Sequence, residues 1–184
     1  MQDPQSAVLT ALYHRKRDEA VRLAEGASLT IWEAAALGRD SRVGELLDRD
    51  PSLLNAMSPD GYHPLGLAAF FGAGSTVRTL IDRGADVSVT ATNPMRVQAL
   101  HAAVAARSID IVRLLLERGA DPNVRQHVGY TPLMGAAAGG SGEMVDLLLQ
   151  HGADAAAVSE DGKTAADVAR EHGHTALADR LRTT

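Results

Sequence analysis

Apolar residues along this chain recur at the spacing of helices, not strands. Ile111, Val112, Leu115 and Leu116 form one stripe with Asp110, Arg113 and Glu117 between them, which predicts an amphipathic helix with a single buried face. Apolar runs also end at Leu80-Ile81 and at Leu147-Leu148-Leu149. All three runs lead through a basic residue or histidine into Gly-Ala-Asp, at Gly84-Ala85-Asp86, Gly119-Ala120-Asp121 and Gly152-Ala153-Asp154. The glycines lie 35 and 33 residues apart, so one helix ending is written three times, and recurrence at such a period marks a repeat array. Gly119 and its equivalents stop the helix because glycine readily takes the left-handed backbone of a C-terminal cap.

A second phrase sits upstream of the first at constant distance. Thr131-Pro132-Leu133-Met134 precedes the third Gly-Ala-Asp as Gln98-Ala99-Leu100-His101 precedes the second and His63-Pro64-Leu65-Gly66 the first. Thr30-Ile31-Trp32-Glu33 and Thr164-Ala165-Ala166-Asp167 keep the same register, giving starts at 30, 63, 98, 131 and 164 with one two-residue insertion. Thr131 can accept from the free amides of a starting helix, and Pro132 stands at the first helical position, where its missing N–H is harmless. The alanines that come next, Ala34-Ala35-Ala36, Ala68-Ala69, Ala102-Ala103 and Ala136-Ala137-Ala138, allow close helix approach. Each unit therefore reads as two helices and a turn.

The pattern resembles the ankyrin repeat family over roughly residues 29 to 182. Asp161-Gly162-Lys163-Thr164, Gly129-Tyr130-Thr131-Pro132-Leu133 and Leu100-His101-Ala102-Ala103 followed by Ile111 to Leu116 carry the likeness. The resemblance implies an all-α solenoid of stacked helix-turn-helix units with finger-like β-turn loops. It divides the chain into a partial N-terminal capping unit (1–28), repeats at 29–61, 62–96, 97–129 and 130–162, and a C-terminal capping unit (163–184), all in one domain. It also implies that inner helices and fingers line a groove that binds other proteins.

Departures from the pattern are local. In the third unit Gln98-Ala99 replaces Thr-Pro and Arg96 replaces the turn glycine, so that helix start should be weakly capped. The loop 87–97 carries the insertion and should project further. His101 alone keeps the motif histidine, with Glu33, Gly66, Met134 and Asp167 in its place elsewhere. Asp50-Pro51 to Asn55 stands where the first unit would have Gly-Ala-Asp.

Composition narrows the function classes. Aromatics at 3% among many alanines suit thin helix layers, and such a stack gains stability mainly between neighbouring units. No run approaches the ~20 apolar residues of a membrane span, and the first residues lack the order of a signal peptide. Together with the absence of cysteine, this predicts a cytoplasmic protein. Sixteen arginines against two lysines, with abundant alanine, point to a GC-rich, bacterial coding sequence. A net charge of -5 argues against broad nucleic-acid binding. The one basic cluster, His14-Arg15-Lys16-Arg17, is followed by Asp18 and Glu19 and reads as the solvated end of the first helix.

Chemistry is sparse. Asp86, Asp121 and Asp154 read as turn residues bonding local amides. His172-Gly173-His174 lacks an obvious third metal ligand, and no nucleophile elbow, phosphate loop or His-Glu-x-x-His occurs. No catalytic residue, cofactor or metal is expected. Mapped through the resemblance, the concave face receives Tyr62, Phe70, Phe71, Val97 and Tyr130, and exposed aromatics commonly anchor protein interfaces. Trp32 is expected in the core, and Tyr13 to pack the first, partial unit onto the second. The fingers add Asp60, Met95, Arg96, His127, Glu160 and Lys163. The residues expected to bind a partner are thus Tyr62, Phe70, Phe71, Met95, Arg96, Val97, His127, Tyr130 and Lys163. A non-enzymatic protein-binding module or regulator is the leading expectation, ahead of a self-associating homodimer and of a small-ligand receptor or enzyme.

Overall fold

The computed structural model describes residues 6–183. Among them are twelve α-helices and no strand, arranged as six consecutive pairs. The pairs are α1 (Ala7–Tyr13) with α2 (Arg17–Ala24), α3 (Ile31–Leu37) with α4 (Asp40–Arg49), α5 (Pro64–Phe70) with α6 (Gly74–Asp82), α7 (Ala99–Ala105) with α8 (Ile109–Glu117), α9 (Pro132–Ala138) with α10 (Gly142–Gln150), and α11 (Ala165–Glu171) with α12 (Thr175–Leu181). The odd-numbered helices stack in one layer, α1 on α3 through to α11, while α4, α6, α8 and α10 form a second layer behind them. The fold is an all-α repeat solenoid.

Alanine explains the tight first layer. Ala34, Ala35, Ala36, Ala68, Ala69, Ala103 and Ala137 are buried, so backbones approach without large side chains between them. Larger residues fill the space between layers: Leu65, Leu100, Leu133, Leu80, Leu115 and Leu148 are all but sealed from solvent. Truncating any of these leucines should cost about 2–5 kcal/mol.

Local chemistry starts each inner helix. The hydroxyls of Thr30, Thr131 and Thr164 accept from the amides of Glu33, Met134 and Asp167, and in α3 and α11 the acid bonds back to complete a capping box. In α7 Gln98 pairs with His101 in place of the threonine cap. Its carboxamide donates to the Thr90 hydroxyl at 3.0 Å, and the Gln98 amide instead donates to His101 Nδ1 at 3.3 Å. Asp86, Asp121 and Asp154 each accept at 2.8 Å from the amide two residues on, an Asx-turn that shapes the loop after each outer helix.

Between units, four loops form fingers bonded main chain to main chain. The Thr92 amide donates to Gly61 O at 2.9 Å, His127 to Met95 O at 3.0 Å, and Glu160 to Val128 O at 3.0 Å. The two-residue insertion lies inside the second finger, which closes between Ala91 and Val97 where the first closes between Ser58 and Tyr62. Within the stretch 1–28, expected as a partial unit, Ala7–Tyr13 and Arg17–Ala24 form a helix pair, α1 and α2. Trp32 is only half-buried: it stands where Leu65 and Leu133 are sealed, and its indole Nε1 donates to Ala56 O at 2.9 Å. His14 to Arg17 are exposed, His14 to Lys16 forming the turn between α1 and α2, with Lys16 paired to Glu19 at 3.2 Å.

Candidate functional site

The first-layer helices and the fingers enclose one hollow on their shared face. Its volume is about 430 Å³. The side chains of the inner helices explain its depth. From α5 come Gly66, Leu67 and Phe70, from α7 His101, Ala102, Val104 and Ala105, and from α9 Pro132 and Gly135, so Gly66, Ala102, Ala105 and Gly135 leave room beside the larger residues. Met95 and Val97 of the enlarged finger, with Tyr130 of the next, form the opposite wall.

Tyr13 closes the N-terminal end. From the last turn of α1, its hydroxyl donates to the Asp60 carboxylate at 2.8 Å, and its ring lies 5.5 Å from Phe71 and 6.4 Å from Tyr62 between centroids. Burial first, then the adjacent Asp60, raises the Tyr13 pKa far above that of an ordinary phenol. Phe71 meets Phe70 edge-on at 5.1 Å. Tyr13, Tyr62, Phe70 and Phe71 therefore form one continuous cluster.

Two histidines stand in the wall, and both are neutral at pH 7. Desolvation holds His63 and His101 near a pKa of about 4, against weaker pulls from Asp86 and the Val89 backbone on His63 and from the Tyr130 and Val124 backbones on His101. The Nε2 of each is shut off from solvent and has no hydrogen-bond partner among the described residues. His63 takes over two jobs. Its Nδ1 accepts from the Gly66 amide at 3.2 Å as a helix cap, and its ring occupies the space beside Gly66, where a β-carbon would come within 3.0 Å of Nε2. The glycine at 66 thus makes room for the histidine at 63.

The structure brings together Tyr62, Phe70, Met95, Val97 and Tyr130 of the residues expected to bind a partner. Phe70 and Met95 are 45% and 47% exposed, Tyr62, Val97 and Tyr130 are half-buried. Phe71, Arg96, His127 and Lys163 do not line the hollow. Phe71 backs the Tyr13 contact. Arg96 and His127 are exposed on the fingers. Lys163 is tied to Asp161 at 3.1 Å and Glu171 at 2.9 Å. Sequence reasoning missed Tyr13, His63, His101, Gln126 and the small residues as parts of one wall. The alanines and Gly135 were a readable signal, because short side chains at a concave register leave a gap.

Left-handed backbone at the fingers is also uneven. Gly61, Gly129 and Gly162 take positive φ, but Arg96 does so at φ 51° and Val128 at φ 56°, and a β-branched residue there is strained. Val128 is 44% exposed. The His172 Nδ1 is bonded to Val168 O and the His174 Nε2 to Ala138 O, and among the described residues no group of three or more His, Cys, Asp or Glu could hold a metal ion. No described helix is long and apolar enough to cross a membrane.

Twelve stacked helices with bonded fingers define a helical repeat protein that presents a groove. The family profile described as "Ankyrin repeats (3 copies)" matches residues 31–126 and 119–183, and the chain belongs to the ankyrin repeat family. It is similar to rat ankyrin repeat and SAM domain-containing protein 6, 36% identical over 101 residues that make up 55% of this chain and 11% of the relative. Human SH3 and multiple ankyrin repeat domains protein 1 is 37% identical over 108 residues, 57% of this chain and 5% of the relative. The Drosophila neurogenic locus Notch protein is 36% identical over 99 residues, 52% and 4% respectively. The matched stretch is thus a small part of each of these animal proteins. Ankyrin repeats in general serve protein–protein recognition.

Proposed function

We propose that the chain is a non-enzymatic regulator or binding module that takes a protein partner on the concave face and fingers. One observation carries this reading: Phe70, Met95 and Val128, three of the five large exposed apolar residues among the described residues, lie on the inner helix end and fingers of adjoining units, beside Tyr62 and Tyr130. Exposed apolar patches on otherwise polar proteins mark interaction sites. Arg96, His127 and Lys163 supply a polar rim of the kind that surrounds an apolar interface core. The unit boundaries expected from the sequence belong to this reading. So does a bacterial, cytoplasmic origin, supported by the arginine bias and the absence of cysteine.

Affinity capture from a bacterial lysate tests it, with Phe70→Asp/Met95→Asp as the comparison. The native chain retains a specific protein and the variant, still fully helical by circular dichroism, loses it. Equal capture by both would sink the concave reading. If light scattering instead shows a dimer that the same variant splits, the groove serves self-association.

A further inference from the structure

We propose that the hollow between α5, α7 and α9 is a binding site for an uncharged, mainly apolar small molecule. The inference concerns a second kind of ligand and does not depend on the protein-binding reading above.

Size comes first. An apolar cavity of about 150 Å³ suffices for a benzene ring, and small-molecule sites commonly span about 300–1,000 Å³. At about 430 Å³, the hollow takes two or three fused rings or an aliphatic body of like bulk. Water filling it would meet mainly carbon from Leu67, Phe70, Met95, Val97 and Ala105, so a ligand that displaces that water gains free energy.

Charge decides the class. No aspartate, glutamate, lysine or arginine lines the hollow. Asp60 is engaged by Tyr13 and Lys163 by Asp161 and Glu171, and Arg96, on the finger between Met95 and Val97, is exposed and does not line the hollow. His63 and His101 are neutral at pH 7. An ion entering would lose its hydration without gaining a counter-charge, so the site selects against charged ligands.

Polar groups are present nonetheless, and they are free. The hydroxyls of Tyr62 and Tyr130 and the carboxamide of Gln126 come from lining residues and have no hydrogen-bond partner among the described residues. Few polar groups on an apolar wall are the usual means by which such a site orients its ligand. A ligand with one hydroxyl, carbonyl or amine at the edge of an apolar body fits these donors and acceptors.

Enclosure favours a small molecule over a side chain from a protein. The enlarged finger carries Met95 and Val97 over one side, and the Tyr13–Asp60 bond shuts the N-terminal end. A peptide running along the groove would have to pass that barrier.

The neutral fluorescent probe N-phenyl-1-naphthylamine tests the site on the full chain, with anionic 1-anilinonaphthalene-8-sulfonate as the charge comparison. The neutral probe should bind saturably at one site per chain with Kd of about 1–100 µM, and the anion at least ~10-fold more weakly. Ala105→Trp, at an exposed position on the hollow's wall, should weaken the neutral probe at least ~10-fold while Tm stays within ~2 °C. Leu23→Gln, an exposed apolar residue on α2, should change neither. Without any mutation, the probe should shift the methyl resonances of Met95, Ala102 and Ala105 and leave Leu23 unmoved. The proposal is overturned if the neutral probe fails to saturate, if both probes bind alike, or if Ala105→Trp binds as the native chain does. Protein capture lost in Ala105→Trp, with no probe binding to the native chain, would also overturn it and assign the hollow to a partner's side chain. Probe binding without any protein capture would leave this site standing and remove the protein-binding reading.

Discussion

The hydroxyl of Tyr13 donates to the carboxylate of Asp60 at 2.8 Å across 47 residues of chain. It joins α1, in the first helix pair, to the finger that opens the third. The intervening helix α3 offers Ala34, Ala35 and Ala36, all buried, so no bulky side chain there bars the tyrosine from reaching its partner.

Tyr13→Phe keeps the ring contacts and removes only the hydrogen bond, leaving the exposed side of Asp60 free to take water. It should cost about 0.5–1.5 kcal/mol. Tyr13→Ala also removes the contacts with Tyr62 and Phe71 and should cost about 3 kcal/mol or more. Urea unfolding of both variants separates the two contributions, and equal losses would mean that the ring contributes nothing.

Acid should weaken the stack through its histidines. His63 and His101 have a folded pKa of about 4 against about 6.5 in the unfolded chain. Between those values the unfolded state binds more protons, so the stability is present in full above pH 6.5 and is lost as pH falls toward 4. Each histidine should account for about 2–3 kcal/mol of that loss. Denaturant midpoints from pH 7.5 to 4.5 measure it, and His63→Thr/His101→Asn should flatten the slope.

Gly66→Ala should destabilise by about 1–3 kcal/mol, because the new methyl meets the His63 ring. In a His63→Thr background the same change should be neutral or stabilising, since the space is empty and alanine favours helix by about 1 kcal/mol. A double-mutant cycle in urea reads the coupling directly. Additive effects would mean that the two positions are independent.

Val128→Gly should raise stability by about 0.5–1.5 kcal/mol by relieving the left-handed backbone, and Arg96→Gly should do so by about 0.5–1 kcal/mol. If Val128 is kept for a partner, its variant binds more weakly although it is more stable. Thermal unfolding beside capture of the partner distinguishes a useful strain from an incidental one.

Much of the fold was legible because each unit repeats the same short-range signals. Thr131-Pro132, the alanine runs and Gly-Ala-Asp act within a few residues of themselves, and α9, α10 and their loop arise from them directly. The lining aromatics Tyr62, Phe70 and Tyr130 could also be placed by register. Tyr13 could not, since its partners lie 47 residues or more away and no periodicity connects them. The hollow has only a negative signal in the sequence, the side-chain bulk that Ala102, Ala105 and Gly135 lack. The exchange between His63 and Gly66 likewise looks like two motif violations until the ring is seen to occupy the space of the missing side chain.

The bonds between fingers run from amide to carbonyl, Thr92 to Gly61, His127 to Met95 and Glu160 to Val128, and ask for no particular side chain. A gene for such a chain can lengthen or shorten by whole units, because a duplicated unit meets its neighbours through the same main-chain grammar. The tyrosine clasp breaks that freedom at one end. Deleting or doubling the unit that contains α3 and α4 would move Asp60 out of reach of Tyr13, so unit number is open to evolutionary drift after the first finger and fixed before it.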